Sequence, residues 1–148
     1  MEFGSIQREL YIEAPPEVVF DVVSRPEHVA GWWADEAEFS PHPGAPGRIA
    51  FGDHGESFTV VDAEPPHRFS FRWTHPADQP ASETNSYLVT FDLTPSGPGT
   101  LLRLTETGFR ERGWEAAVLE EQYNDHVHGW DHFLPRLAPY AETLRARS

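Results

Sequence analysis

The last third of the chain carries the pattern of one long amphipathic helix, and it arrives only after a run of strand-like segments. From Trp114 to about Arg145 the large apolar residues recur at helical spacing: Leu119, Tyr123, Val127, Trp130, Phe133, Leu134, Leu137, Ala141 and Leu144. At about 100° per residue, all of them fall within roughly 60° of the direction of Trp130. A stripe that wide needs a concave partner, and the chain before it reads as antiparallel β. The pattern implies an α+β fold in which a helix lies across a curved sheet, with room for a pocket between them. Pro135 and Pro139 fall inside the stretch, at about 140° and 180° from Trp130. Proline on the outer face bends a helix convex toward solvent, so that it wraps its core. A break into two shorter helices is the competing expectation.

At 148 residues the chain fits one domain. Five tryptophans and ten phenylalanines offer large, rigid surfaces that can line a cavity as readily as fill one. The net charge is −13, and all 11 basic residues are arginine. That balance argues against a nucleic-acid partner, since neutralising phosphates takes a basic face. Without lysine there is no Schiff-base chemistry. Without cysteine there are no disulfides, thiol nucleophiles or cysteine-held zinc. No apolar run approaches the roughly 20 residues of a membrane span, and the N-terminus lacks a signal-peptide pattern, so a cytoplasmic location is expected. Met1-Glu2-Phe3-Gly4-Ser5 resembles the remnant of an expression tag, which leaves residues 6–147 as the single domain.

Ile6 to Glu13 alternates as a first strand, which Ala14-Pro15-Pro16 stops. Pro16 suits the first turn of a short helix, Glu17 to Val23, and Ser24 is placed to cap a second one from Pro26 to Trp33. Asp35 to Phe39 resumes extended structure, and Ser40 to Arg48 reads as a loop. Ile49 to Phe51, Phe58 to Ala63, Phe69 to Trp73, Tyr87 to Leu93 and Leu101 to Thr107 are strand candidates. The turns Pro65-Pro66-His67 and Ser96-Gly97-Pro98-Gly99 favour antiparallel neighbours. Pro76 to Glu83 is polar and reads as a mobile connection.

Four of these stretches together resemble the START-like or SRPBCC superfamily. Ala14 to Phe20, followed by Pro26-Glu27-His28 and Gly31-Trp32-Trp33, is similar to its opening strand–helix–helix. Val61 to Trp73, with Glu64-Pro65-Pro66-His67-Arg68-Phe69, is similar to its mid-sheet hairpin. Gly99-Thr100-Leu101 to Gly108-Phe109 resembles its last strand, and Gly129-Trp130 with Leu134 and Leu137 its terminal helix. Within the superfamily the likeness is to the branch named after the C-terminal domain of the activator of the heat-shock protein 90 ATPase, a branch with many small bacterial members. The resemblance implies a helix-grip fold: a curved antiparallel sheet of six to seven strands, ordered β-α-α-β(n)-α, wrapped around a long C-terminal helix. It implies no shared catalytic motif, because the superfamily spans lipid carriers, polyketide cyclases and hormone receptors. Function has to come from the site.

Strand parity shows which polar groups share a face with apolar ones. His75 continues the face of Phe69, Phe71 and Trp73, and Asn85 precedes that of Tyr87, Val89 and Phe91. Glu106 shares its face with Leu102 and Leu104. His126 lies about 40° from Trp130, inside the helix stripe. These four are candidates for a pocket mouth. Trp33, Trp73, Tyr87, Tyr123 and Trp130 are the aromatic group expected around the cavity, with the tyrosine hydroxyls and His126 orienting a ligand. If Glu106 and His126 converge, they can form an acid/base pair, which makes them catalytic candidates. The plainer reading makes His126 a hydrogen-bonded core histidine and Glu106 a solvated or arginine-paired strand end, and leaves His75 and Asn85 exposed beside a loop. His128 and His132 have metal-chelating spacing but point away from Trp130 beside Asp125 and Asp131, so neither a metal site nor a cofactor is expected.

The function expected first is binding of a hydrophobic or aromatic small molecule, such as a lipid or polyketide, between sheet and helix. A cavity enzyme of cyclase or hydrolase type, using His126 with Glu106 or Tyr123, is the second reading. The third, implied by the resemblance, is a chaperone ATPase-activator-like protein-interaction module with a protein partner. Either a monomer or a homodimer is compatible with all three.

Overall fold

The computed structural model describes residues 4–76 and 78–147, the last three by their backbone alone. Met1 to Phe3 of the suggested tag remnant lie outside the described residues, whereas Ser5 already pairs with Thr107. Strand β1 (Ser5–Ile12) ends at the proline pair. Helix α1 (Pro16–Ser24) then begins on a proline whose missing N–H falls where no intrahelical partner exists, while the Pro15 carbonyl takes the amides of Val18 and Val19. Ser24 does not cap α2 (Pro26–Trp32). Its hydroxyl donates to the Phe20 carbonyl at 2.6 Å, and Arg25 stands at the cap without a side-chain bond. A serine still inside a helix finds the carbonyl one turn back nearer than the amides of the next helix.

Six further strands follow: β2 (Glu36–Glu38), β3 (Pro46–Phe51), β4 (His54–Glu64), β5 (Arg68–Trp73), β6 (Tyr87–Ser96) and β7 (Gly99–Thr107). They join β1 in one antiparallel sheet of order β1-β7-β6-β5-β4-β3-β2. β3 starts at Pro46, inside the stretch expected to be loop. Gly47 permits this, because a Cβ there would stand 2.4 Å from that of Phe39. A bulge between Val60 and Asp62 turns Val61 outward, and the Ser70 hydroxyl fills the gap by donating to Asp62 Oδ2 at 2.9 Å. Such a bulge bends and twists its strand.

The concave face of the sheet presents Phe69, Phe71, Val89, Phe91, Leu102 and Leu104, all buried. Burying each such side chain contributes about 1.5–3 kcal/mol. Against them lie α1, α2 and α3 (Ala116–Arg147). α3 begins just after Trp114 and runs as one helix, with Pro135 and Pro139 both exposed on its outer side, so the break into two does not occur. Trp130, Leu134, Leu137 and Ala141 form its buried stripe. Two polar ties hold it to β1: Arg8 Nε donates to Asp131 Oδ1 at 2.9 Å, and the Tyr123 hydroxyl to the Ser5 carbonyl at 2.8 Å. Among the described residues, no helix is long and apolar enough to cross a membrane.

Candidate functional site

Glu106 is the chemical centre of the interior. It sits near the end of β7, in register with Ile6 on one side and Val89 on the other, so parity turns it inward with Leu102 and Leu104. It is 0% exposed, neither solvated nor paired with an arginine, which overturns the plainer expectation for it. Three N–H groups reach it instead. Trp73 Nε1 donates to Oε2 at 2.8 Å, Trp130 Nε1 donates to Oε1 at 2.8 Å, and His126 Nδ1 stands 2.8 Å from Oε1. Indoles donate and never accept, so the group they suit is a carboxylate with its lone pairs outward. A carboxylate in that position accepts a hydrogen bond from the imidazole Nδ1–H, which keeps the ring proton on Nδ1 and leaves Nε2 as the ring's open nitrogen.

A cavity of about 520 Å³ opens beside this cluster, between the sheet and α3. That lies inside the roughly 300–1,000 Å³ typical of small-molecule sites. Trp33 and Trp130 stack along one wall with ring centroids 5.1 Å apart, and Trp73 meets Trp33 edge-on at 5.1 Å. Phe51 and Phe133 close the apolar side. At the other end Tyr87 packs on His126 at 4.4 Å, and Arg112 lies over the rings of Tyr87 and Trp114 at 5.2 and 4.7 Å. Burial raises the Tyr87 phenol well above its ordinary range, against the opposing pull of Arg112, and keeps it an O–H donor. Glu56, paired with His54 at 2.9 Å, and the exposed Asp125 complete the polar rim.

Of the residues singled out from the sequence, Trp33, Trp73, Tyr87, His126 and Trp130 line this cavity together, with Glu106 directly behind them. Tyr123 does not, because its hydroxyl is committed to Ser5. His75 and Asn85 stand elsewhere too. Thr74 adopts φ 69°, which takes the chain out of the extended region and ends the parity that pointed His75 inward. His75 is buried rather than exposed, with Nε2 3.0 Å from Thr59 Oγ1. Asn85 braces its own loop, accepting from Ser82 N–H at 2.8 Å and donating to the Pro80 carbonyl at 3.0 Å. These bonds link Asn85 to Pro80 and Ser82 of the preceding connection. Arg112 and Trp114 were not expected at the site; they lie in the short link between β7 and α3, Arg112 at the end of a single 3-10 turn (Arg110–Arg112) too short for periodicity to mark direction. His128 and His132 are exposed, and among the described residues no cluster of three metal-ligating side chains occurs.

A seven-stranded antiparallel sheet gripping one long helix, with an aromatic cavity between them, defines a helix-grip protein. The sequence pattern of the family described as Activator of Hsp90 ATPase homolog 1-like protein matches residues 13–142, and the chain belongs to that family. Protein MLL2253 from Mesorhizobium loti has a similar structure, with a TM-score of 0.77 at 24% identity over 94% of this chain and 97% of that one. DynU16, a protein of the dynemicin biosynthetic locus, matches at TM-score 0.70 and 26% identity over 96% of this chain but 48% of its own, so this chain spans about half of it. The Aha1 dimer from Colwellia psychrerythraea matches at 0.68 and 18% identity, over 90% and 92% of the two chains. The first and third likenesses are ones of fold. No curated protein matches the sequence.

Proposed function

We propose that this protein binds a hydrophobic, aromatic small molecule in the cavity between sheet and C-terminal helix. The observation that carries the reading is the cavity itself: about 520 Å³ walled by Trp33, Trp73 and Trp130 with Phe51 and Phe133, and bordered by polar side chains such as Tyr87, Arg112 and His126. Apolar walls supply affinity and sparse polar groups supply orientation. A relative associated with a biosynthetic locus, DynU16, is compatible with a ligand that is a polyketide-like metabolite. The interaction-module reading has less support. Among the described large hydrophobic residues only Tyr11 and Val61 are exposed, at 42% and 38%, and they lie on strands that are not neighbours. Self-association as a homodimer is a separate question, read from sedimentation of the purified protein.

Native mass spectrometry of freshly purified protein, followed by denaturing extraction, tests the reading. A stoichiometric adduct identifies the ligand class. A clean apo mass, joined with tryptophan fluorescence that ignores a panel of lipids and aromatics, would remove the reading.

A further inference from the structure

Three polar groups at one end of the cavity have unused bonding capacity. The Tyr87 hydroxyl has no partner among the described residues, and it is not sealed from solvent although the residue is only 2% exposed, so the space it reaches is the cavity. Arg112 is stacked on two rings, and its one side-chain hydrogen bond is a long one, 3.5 Å to Thr74 Oγ1. No carboxylate among the described residues lies within ion-pair distance of it, in a chain with 24 acidic residues. His126 spends Nδ1 on Glu106 and has no partner for Nε2 among the described residues. The burial of Glu106 is expensive, since a carboxylate withdrawn from water needs every donor it has. An apolar pocket has no need of it.

We infer that this end of the cavity catalyses enolisation of a bound aromatic ketone, with His126 as the base. The inference rests on the ligand-binding reading and gives it a reaction. His126 Nε2 takes a proton from the carbon next to the carbonyl. The C–H pair becomes the new C=C bond, and the carbonyl π pair moves onto oxygen. The Tyr87 O–H and the Arg112 guanidinium then hold the oxyanion. Return of the proton to carbon completes the cycle, with no further reactant. Glu106 is a positioning residue: it accepts from Nδ1–H and stabilises the imidazolium, while two indole N–H groups hold its carboxylate in place. Glu56 and Asp125 at the rim disfavour an anionic ligand, so a neutral carbonyl enters and negative charge develops only beside Arg112. Interactions that strengthen as charge develops are those that accelerate a reaction.

The experiment uses 2-tetralone in deuterated buffer. Proton NMR follows loss of its α-proton signals, and tryptophan quenching reports binding. Exchange is expected on the order of 10²-fold above buffer, the scale of a positioned general base. His126→Gln should abolish it, Tyr87→Phe should slow it about tenfold, and the exposed control His128→Gln should leave it unchanged. Nitrogen NMR should find the His126 proton on Nδ1; a proton on Nε2 instead overturns the role of His126. Binding of tetralone without exchange, or full exchange in folded His126→Gln, overturns the inference and leaves the binding reading standing. So does binding of 2-methylnaphthalene but not tetralone. If neither compound, nor any of the wider panel, quenches the tryptophans, both fall.

Discussion

Glu106 concentrates the interior's polar chemistry in one side chain, and its substitution separates shape from charge. Glu106→Gln keeps the volume but turns an NH2 group toward at least one of three N–H donors. Two donors then face each other in a dry core. The expected cost is about 3 kcal/mol, seen as a lower urea midpoint with an unchanged slope. Tyr87 gives the residue-scale pH dependence. Its folded-state pKa is raised by burial above the unfolded value of roughly 10. Above that pH the unfolded chain has released a proton that the native state still holds, so stability falls as pH rises. The contribution is whole below the unfolded value and is lost on the way up to the folded one. Tyr87→Phe should therefore unfold less steeply with alkali than the wild type, in circular dichroism recorded against pH. Glu106 and His126 were legible from parity and the helical wheel because each lies within a regular element. His75 was not, because one residue with positive φ, Thr74, ended the strand geometry before the parity reached it.

At the scale of elements, the cavity depends on how β7 hands the chain over to α3. Gly108 makes that exit at φ 111°, and a Cβ there would stand 2.6 Å from the Ser86 carbonyl. Gly108→Ala therefore meets both backbone strain and a backbone clash, and should cost about 2 kcal/mol, a fall of roughly 5 °C in Tm. Phe109 follows directly and packs on Tyr87 at 4.8 Å and on His126 at 5.2 Å, so the same variant should loosen the polar end of the cavity. Near-UV circular dichroism would register that change apart from the Tm. The elements themselves were largely legible. α3 declared itself through a stripe of one width over many turns, and the break into two helices that Pro135 and Pro139 left open is absent because both prolines lie on the exposed side. Less legible was the link from Gly108 to Trp114. Its path depends on two left-handed glycines, Gly108 and Gly113, and on Arg112 finding two aromatic rings distant in sequence.

For the whole molecule, stability and cavity pull in opposite directions, and Gly129 shows where. It lies inside α3 on the cavity wall, and a Cβ built there meets nothing within 4 Å. Glycine in a helix interior costs about 1 kcal/mol relative to alanine. Elsewhere in this fold glycine answers either to a close neighbour, as Phe39 presses on Gly47, or to a positive φ, as at Gly113, and Gly129 has neither. At Gly129 nothing presses, so packing gives no reason for the loss and the open space in front of it does. Gly129→Ala should raise stability by about 1 kcal/mol, measured by urea unfolding. Gly129→Leu should fill part of the cavity with apolar surface and stay at least as stable as the wild type, while its affinity for aromatic ligands falls at least tenfold in fluorescence titration. That opposite movement is the signature of a cavity kept open for a ligand at the expense of the fold. If Gly129→Leu instead loses stability and binds as the wild type does, the space beside α3 is not where the ligand goes.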